Sequence, residues 1–356
     1  RFNNGEIRLD SIRLAVSGLG AQGQQLIDCL AKTEQAQLVA VIDVDPKVAD
    51  RVSEEQRVPR FLSIQEMTAG LQDEVDGLII SVPNSLHLVT VTEALNLGLH
   101  VLVEKPMGLS ISECDQMIAC AEENDRLLMV GHNILFYEPH LKVREMISKG
   151  EISRPVEFRT RLTCGRMFGS WRDKAELTGG GLLVDSGQHR FYTARQLMGP
   201  VSAVTAWLDT KDPRKVGDET GFVILEFEEG GVGLIDATFH GPGDTFCDLV
   251  ELVSRDGLIW ITGCEADFLQ TWSHPPIAME GPLLINREGR EWERIETGPG
   301  DWADTVQKSI EHFAACIEGT EAPITSAIEG RTNMAVLEAA YKSAEEGRRV
   351  EVSELI

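Results

Sequence analysis

The sequence contains no CxxC pair. Its seven cysteines, Cys29, Cys114, Cys120, Cys164, Cys247, Cys264 and Cys316, are odd in number and scattered. A disulfide framework is therefore not expected, and a reducing compartment, the cytoplasm, is. There is no run of 18 apolar residues, which on length excludes a membrane-spanning helix. Basic residues are scarce: 33 Lys and Arg stand against 57 Asp and Glu, a formal net charge of −24. So acidic a surface repels phosphate backbones, and nucleic-acid binding is not expected, whereas solubility in a salty medium is compatible with it. No low-complexity tract and no internal repeat is present. The opening RFNNGEIRLD has no signal-peptide pattern and lacks an initiator Met.

What is present is a chain of 356 residues, 42 % apolar, with 33 Gly and 14 Pro. That is long for one hydrophobic core and comfortable for two domains. Up to about residue 133, short aliphatic runs alternate with helix-like stretches: IRLAVS (12–17), QLVAVID (37–43), the end of DEVDGLIISVPN (73–84), EALNLGLHVLVEKP (93–106) and SECDQMIACAEENDRLLMVGHN (112–133). This alternation predicts βαβ units around a parallel sheet with both faces covered. After about residue 150 the segments lengthen and become rich in Val, Ile, Thr and Phe, with EEGG at 228–231 as a hairpin turn. Helices are expected at 303–318 and 327–346. The expected fold class is α/β: a Rossmann-type parallel sheet over 1–132, then an α+β domain over 133–356 on a large, mostly antiparallel open sheet.

Gly18, Gly20 and Gly23 form GxGxxG after the first strand and at the opening of a helix, the context a dinucleotide fingerprint requires. Gly18 permits the tight turn, Gly20 the close approach of a pyrophosphate, and Gly23 close helix–strand contact. The helix N-terminus then offers unpaired N–H groups to phosphates, and Gly18, Leu19, Gly20, Ala21, Gln22 and Gly23 are the candidate cofactor-binding residues. Asp43 ends the next strand, where a carboxylate accepts both ribose hydroxyls and repels a 2′-phosphate. Val44 rather than Arg follows it, so NAD is favoured over NADP, although Lys47 is near. Pro83 and Asn84 end the third strand; Asn84 is placed either to bond the cofactor or to cap the next helix, and His87 to support them. Glu104–Lys105–Pro106 ends a further strand, and Lys105 is placed to reach over the cofactor toward a substrate hydroxyl.

A second cluster lies in TGGGLLVDSGQHRFYTARQLMG (178–199). Asp185 and His189, four apart, share a face if the segment is helical. An imidazole suits uptake of a hydroxyl proton, a lysine can polarise the oxygen, and a carboxylate can fix substrate or orient the imidazole. Together, Asp185 and His189 supply two ligands where catalytic zinc usually takes three, so no metal is expected. Trp171 and Arg172 suit either a sugar pocket or a domain junction. Asn133 is a candidate to reach the site, His132 to pack, and Tyr137 and His140 to pack at a junction.

The glycine motif, VPNSLH (82–87), EKP (104–106) and GGGLLVDSGQH (179–189), in this order, resemble the Gfo/Idh/MocA family; residues 311–352 look like its C-terminal signature. The resemblance covers nearly the whole chain. It implies an NAD(P)-dependent oxidoreductase acting on a sugar, cyclitol or related polyol, with Lys105, Asp185 and His189 at the positions of the family's triad. It also implies that the helix at 327–346 returns beside the first domain, and that the antiparallel sheet joins copies into a homodimer or homotetramer. Two departures are visible. Tyr192 stands where many relatives have a second aspartate, and Leu135–Phe136 where many read Arg-Phe. The leading expectation is hydride transfer between nicotinamide and a hydroxyl-bearing carbon. The alternatives are an enzyme whose tightly held NAD is transiently reduced during sugar–sugar oxidoreduction or glycoside cleavage, and a non-catalytic NAD-binding sensor.

Overall fold

A computed structural model of the chain describes residues 11–71, 74–165, 171–211, 217–241, 246–262, 282–287, 291–298 and 301–356. The opening ten residues, Cys264 and the side chain of Cys247 lie outside the described residues. The chain divides into two compact units. The first comprises the described residues up to His132 together with Val306–Arg331, and the second comprises those of Asn133–Thr305 and Thr332–Ile356.

Six strands build the first unit: β1 (Ile12–Ser17), β2 (Ala36–Ile42), β3 (Arg60–Phe61), β4 (Gly77–Ile80), β5 (His100–Val103) and β6 (Leu128–Val130). They form one sheet in the order β3-β2-β1-β4-β5-β6, every pairing parallel. Helices α1 (Ala21–Leu30), α2 (Pro46–Gln56), α3 (Ile64–Leu71), α4 (His87–Asn96) and α5 (Ile111–Glu123) connect them. β4 is buried throughout, and β1 and β5 are buried beyond their first residues, which is why they read as aliphatic runs without alternation. The segment 44–72, for which the sequence suggested no element, holds α2, β3 and α3. There Asp45 caps α2 by accepting the Lys47 N–H at 2.9 Å, and Pro46 occupies the first turn. Strand order reverses between β1 and β4, so the loops after those strands flank the crevice in which such folds bind ligands.

In the second unit, nine strands form one sheet. They are β7 (Glu157–Cys164), β8 (Val201–Asp209), β9 (Thr220–Phe227), β10 (Val232–Thr238), β11 (Phe246–Ser254), β12 (Gly257–Thr262), β13 (Leu283–Arg287), β14 (Trp292–Arg294) and β15 (Val350–Glu351). Their order is β14-β13-β12-β11-β7-β10-β9-β8-β15. All pairings are antiparallel except β7 with β10. The β9–β10 hairpin turns through Gly230 and Gly231 at φ 85° and 94°, a region that glycine alone enters without strain. Burial alternates along β9 and β10, so one face of the sheet carries the core. Helices α6 (Glu138–Ser148), α7 (Ala175–Thr178) and α8 (Gln188–Met198) follow in the chain, then α9 (Trp302–Ile317) and α10 (Ala327–Glu346). Of the last two, Val306–Arg331 belong with the first unit and the remainder with the second. Among the described residues no helix is long and apolar enough to cross a membrane.

Candidate active site

The glycine turn of the first unit shows why three glycines are needed and what each does. Gly18 has φ 87°, and a Cβ there would lie 2.3 Å from the Ser81 carbonyl oxygen. A Cβ on Gly23 would lie 1.9 Å from the Gly18 carbonyl oxygen, so α1 packs directly on the turn. Gly20, by contrast, has nothing within 4 Å of its Cβ position. It stands at the N-terminus of α1, which has no side-chain cap and no acidic residue in its first turn. The first turn of α1 thus presents helix N–H groups with no acidic residue of its own to compete for them, a backbone surface that fits a pyrophosphate.

Asp43 reaches back to this turn. One carboxylate oxygen accepts the Leu19 N–H at 2.8 Å and the other accepts the Asp45 N–H at 2.9 Å. The Leu19 side chain is buried, so only its backbone faces the turn. Val44 is 88 % exposed, leaving no basic side chain at the position after Asp43. Gln22, in the first turn of α1, donates its amide to Glu104 at 3.0 Å, and Glu104 accepts the Lys105 N–H at 3.2 Å. The turn and the lysine loop are therefore joined by one side-chain pair. The Lys105–Pro106 peptide is cis.

Pro83 precedes a 3₁₀ turn that begins at the buried Asn84. His87 is fully buried, with Nδ1 2.8 Å from the Pro106 carbonyl oxygen and Nε2 3.1 Å from that of Val82. It ties the loop after β4 to the loop after β5. Burial pushes its pKa down, which favours the neutral ring, whose one N–H donates to one of these two carbonyl groups.

In the second unit, residues Leu183–Gly187 form a π-helical turn that runs into α8. Asp185 lies in that turn and His189 in the first turn of α8, so their spacing is not that of a plain α-helix. The two environments differ. His189 is 6 % exposed and Trp302 lies edge-on to it, ring centroids 5.5 Å apart at 80°. Asp185 is half-exposed, and Arg172 Nε lies 3.9 Å from its carboxylate. The Arg172 guanidinium also sits 4.8 Å from the Trp171 ring centre. Asn133 donates its amide to Thr305 Oγ1 at 2.8 Å, and Thr305 in turn donates to the Trp302 carbonyl at 2.7 Å. Asn133 thus holds the first turn of the helix that carries Trp302. Sequence reasoning missed Trp302 because nothing in its local pattern connects it with a residue 113 positions earlier.

Tyr192 is fully buried and clusters with Leu135 and Phe136. Both positions at which the chain departs from the expected pattern therefore pack in one apolar cluster. Tyr137 and His140 stack edge to face at 5.1 Å, and His132 is buried. Among the described residues, no group of three or more His, Cys, Asp or Glu could hold a metal ion.

The family model described as "Oxidoreductase family, NAD-binding Rossmann fold" matches residues 12–132, and that described as "Oxidoreductase family, C-terminal alpha/beta domain" matches residues 144–352. The chain belongs to the Gfo/Idh/MocA oxidoreductase family. Within this similarity, 2,7-anhydro-N-acetylneuraminate hydratase of Mediterraneibacter gnavus is 23 % identical over 381 residues, covering 98 % of each chain. The scyllo-inositol 2-dehydrogenase (NAD(+)) of Bacillus subtilis is 25 % identical over 355 residues, covering 96 % of each. The solved aldose–aldose oxidoreductase from Caulobacter crescentus, complexed with glycerol, has the same fold. It matches with a TM-score of 0.83 at 24 % identity, over 96 % of this chain and 99 % of that one. This Gfo/Idh/MocA protein is an NAD(P)-dependent oxidoreductase whose first unit has the NAD-binding Rossmann fold.

Proposed function

We propose that this Gfo/Idh/MocA protein is an NAD-dependent dehydrogenase or reductase of a sugar, cyclitol or sugar derivative, acting at a hydroxyl-bearing carbon. The observation that carries the reading is the Gln22–Glu104 bond, which anchors the EKP loop to the helix that opens the nucleotide turn. Lysine and nucleotide site are thereby held as one piece. Residues Gly20 to Gly23 would hold the pyrophosphate, because the N–H groups of Gly18 and Leu19, expected to join them, are taken by the Ile42 carbonyl and the Asp43 carboxylate; Asp43 would hold the adenosine ribose. The exposed Val44 beside Asp43 favours NAD over NADP. The bound nicotinamide supplies the group that accepts or returns the electron pair.

The chain's own residues handle the proton and the geometry. His189 takes the hydroxyl proton at a ring nitrogen during oxidation and returns it during reduction. The Lys105 ammonium polarises the same oxygen and completes the relay. Asp185, half-exposed, accepts a substrate hydroxyl, with Arg172 Nε 3.9 Å from its carboxylate. The Trp171 face suits the apolar side of a sugar ring. Asn133 has one amide hydrogen engaged by Thr305 and can offer the other.

The hydratase relative favours a second reading, in which NAD stays bound and is regenerated within each turnover. A screen at 340 nm with NAD and NADP against inositols, aldoses, glycosides and amino or acid sugars separates the two. Turnover that disappears in Lys105→Ala and His189→Ala supports the dehydrogenase. No turnover, together with nucleotide released on denaturing the purified protein, moves the assignment to retained NAD. No turnover and no nucleotide binding would sink both.

We further propose that the protein is a cytoplasmic homodimer or homotetramer assembled through the open face of its nine-stranded sheet. Trp207 (53 % exposed), Phe222 (44 %), Ile224, Val232 and Leu234 project from β8, β9 and β10 as neighbouring apolar side chains. Trp207 and Phe222 already lean on each other at 6.1 Å. Contiguous apolar groups on a sheet face mark an interaction surface.

A further inference from the structure

The turn that carries Asp185 begins where Gly181 meets Gly217 and Asp218, which lie 36 and 37 residues further along the chain. A Cβ on Gly181 would lie 2.1 Å from the Asp218 carbonyl oxygen and 2.4 Å from its nitrogen. A Cβ on Gly217, at φ 76°, would lie 2.2 Å from the Gly181 nitrogen. The two backbones are thus in contact with no room for a side chain between them. This contact places Asp218 at the N-terminus of the helical run that holds Asp185 and His189. The Leu182 N–H donates to the Asp218 carbonyl at 2.7 Å, and the Leu183 N–H to its Oδ2 at 2.9 Å. A helix start leaves such N–H groups without partners of their own, and a carboxylate there also meets the positive end of the helix dipole. Asp218 is therefore an N-terminal cap supplied from a distant segment, and it is 6 % exposed.

The other carboxylate oxygen, Oδ1, accepts the Tyr341 hydroxyl at 2.6 Å. Tyr341 lies in α10, and its oxygen also stands 2.8 Å from the Cβ position of Gly180. The phenol has a pKa raised well above its ordinary value by burial and by the Asp218 charge, so it remains a donor at any working pH. Helix start, carboxylate and phenol form one chain of hydrogen bonds.

We propose that Asp218 and Tyr341 are positioning residues for catalysis, acting as a clamp that sets the orientation of the π-helical turn and hence of Asp185 and His189. The inference rests on the proposed acid–base role of those two residues. The clamp touches the start of their helix, not the substrate. A π-turn is rare and recurs at functional sites. Its geometry needs an external fixing point, and a clamp at its first residues supplies one.

The experiment compares wild type, Tyr341→Phe, Asp218→Asn and Asp218→Ala in the full-length protein, with Lys342→Ala as a surface control. Tyr341→Phe removes a single oxygen. Asp218→Asn keeps an acceptor for the Leu183 N–H and lets the phenol turn round to accept, so it is the conservative rescue. With a substrate from the screen, kcat of Tyr341→Phe is expected to fall about 10-fold, since sub-ångström misplacement of a reacting group has effects of that order. KM should stay near the wild-type value. Asp218→Ala should lose more and Asp218→Asn less. A second readout is independent of turnover: the titration of the His189 imidazole, followed by NMR on histidine-labelled protein and assigned with His189→Gln. Its titration midpoint is expected to differ between wild type and Tyr341→Phe, through changed neighbours and solvation.

A folded Tyr341→Phe with wild-type kcat and wild-type His189 titration overturns the clamp. So does a loss of kcat that vanishes on cooling, tracks the loss of melting temperature and leaves the titration unmoved. If wild type turns over no substrate, the proposed function fails, and the titration alone decides: a shift in Tyr341→Phe supports the clamp and its absence overturns it.

Discussion

Trp302 lies edge-on to His189, with ring centroids 5.5 Å apart at 80°. Aromatic contacts of this geometry contribute about 0.5–1.5 kcal/mol beyond buried area, and here the contact orients the proposed acid–base imidazole. Trp302→Ala is expected to lower kcat/KM by about 10-fold, at the upper end of that range, while Trp302→Phe retains most of the activity. Steady-state kinetics with the identified substrate test this. Equal losses in the two variants would show that the ring contact does not orient His189.

The three glycines of the nucleotide turn should behave differently when each gains a methyl group. Gly23→Ala places Cβ 1.9 Å from a backbone oxygen and is expected to destabilise by at least about 1–3 kcal/mol. Gly20→Ala meets nothing in the protein, so its melting temperature should match wild type while affinity for NADH falls. Thermal unfolding and NADH fluorescence measure the two effects. An unchanged NADH affinity in Gly20→Ala would mean that no phosphate approaches that position.

Arg190 and Asp248 form an ion pair at 2.8 Å with both side chains nearly buried. Burial pushes the Asp248 carboxyl up, against the pull of Arg190. Breaking such a pair costs about 3–5 kcal/mol, but the two halves differ. With Arg190→Met the orphaned Asp248 can take a proton, whereas with Asp248→Leu the guanidinium cannot lose one. Urea denaturation should therefore show Asp248→Leu as the less stable variant at pH 7. The opposite order would show that the carboxylate is better solvated than its burial implies.

His140 has a pKa pushed down to about 4 by burial, with Arg190 and Arg144 adding to the effect. Its folded value lies below the unfolded one, so the folded state binds fewer protons in between. Stability is complete above about pH 6.5 and falls as pH drops towards 4, by up to about 3 kcal/mol for this group. Wild type should lose more stability between pH 7.5 and 5 than His140→Leu loses over the same interval. Equal losses in denaturant midpoints would remove His140 as the cause.

Trp207, Phe222 and Ile224 stand on the exposed sheet face. Phe222→Glu combined with Ile224→Glu is expected to convert the assembly to monomer in light scattering, with a normal far-ultraviolet spectrum. A wild type that is already monomeric at micromolar concentration, or an assembly the double variant leaves intact, would place the interface elsewhere.

Much of the first unit is decided locally. IRLAVS, QLVAVID and HVLV are aliphatic because both faces of their strands are buried, and the glycine spacing sets a turn that no other residue type fits. The helix expected at 327–346 has those same limits in α10. Strand periodicity likewise marked the β9–β10 hairpin, whose register and turn are local. The rest depended on tertiary structure. Gln22 meets Glu104 across 82 residues, Leu183 meets Asp218 across 35, and Asp218 meets Tyr341 across 123. Nor could periodicity show that β10 pairs in parallel with β7, or that the helical run through Asp185 opens as a π-turn. Local patterns report which face of an element is apolar. Which distant carboxylate caps a given helix, and which ring rests on a given imidazole, is set only when the packed elements bring their side chains within hydrogen-bond or van der Waals reach.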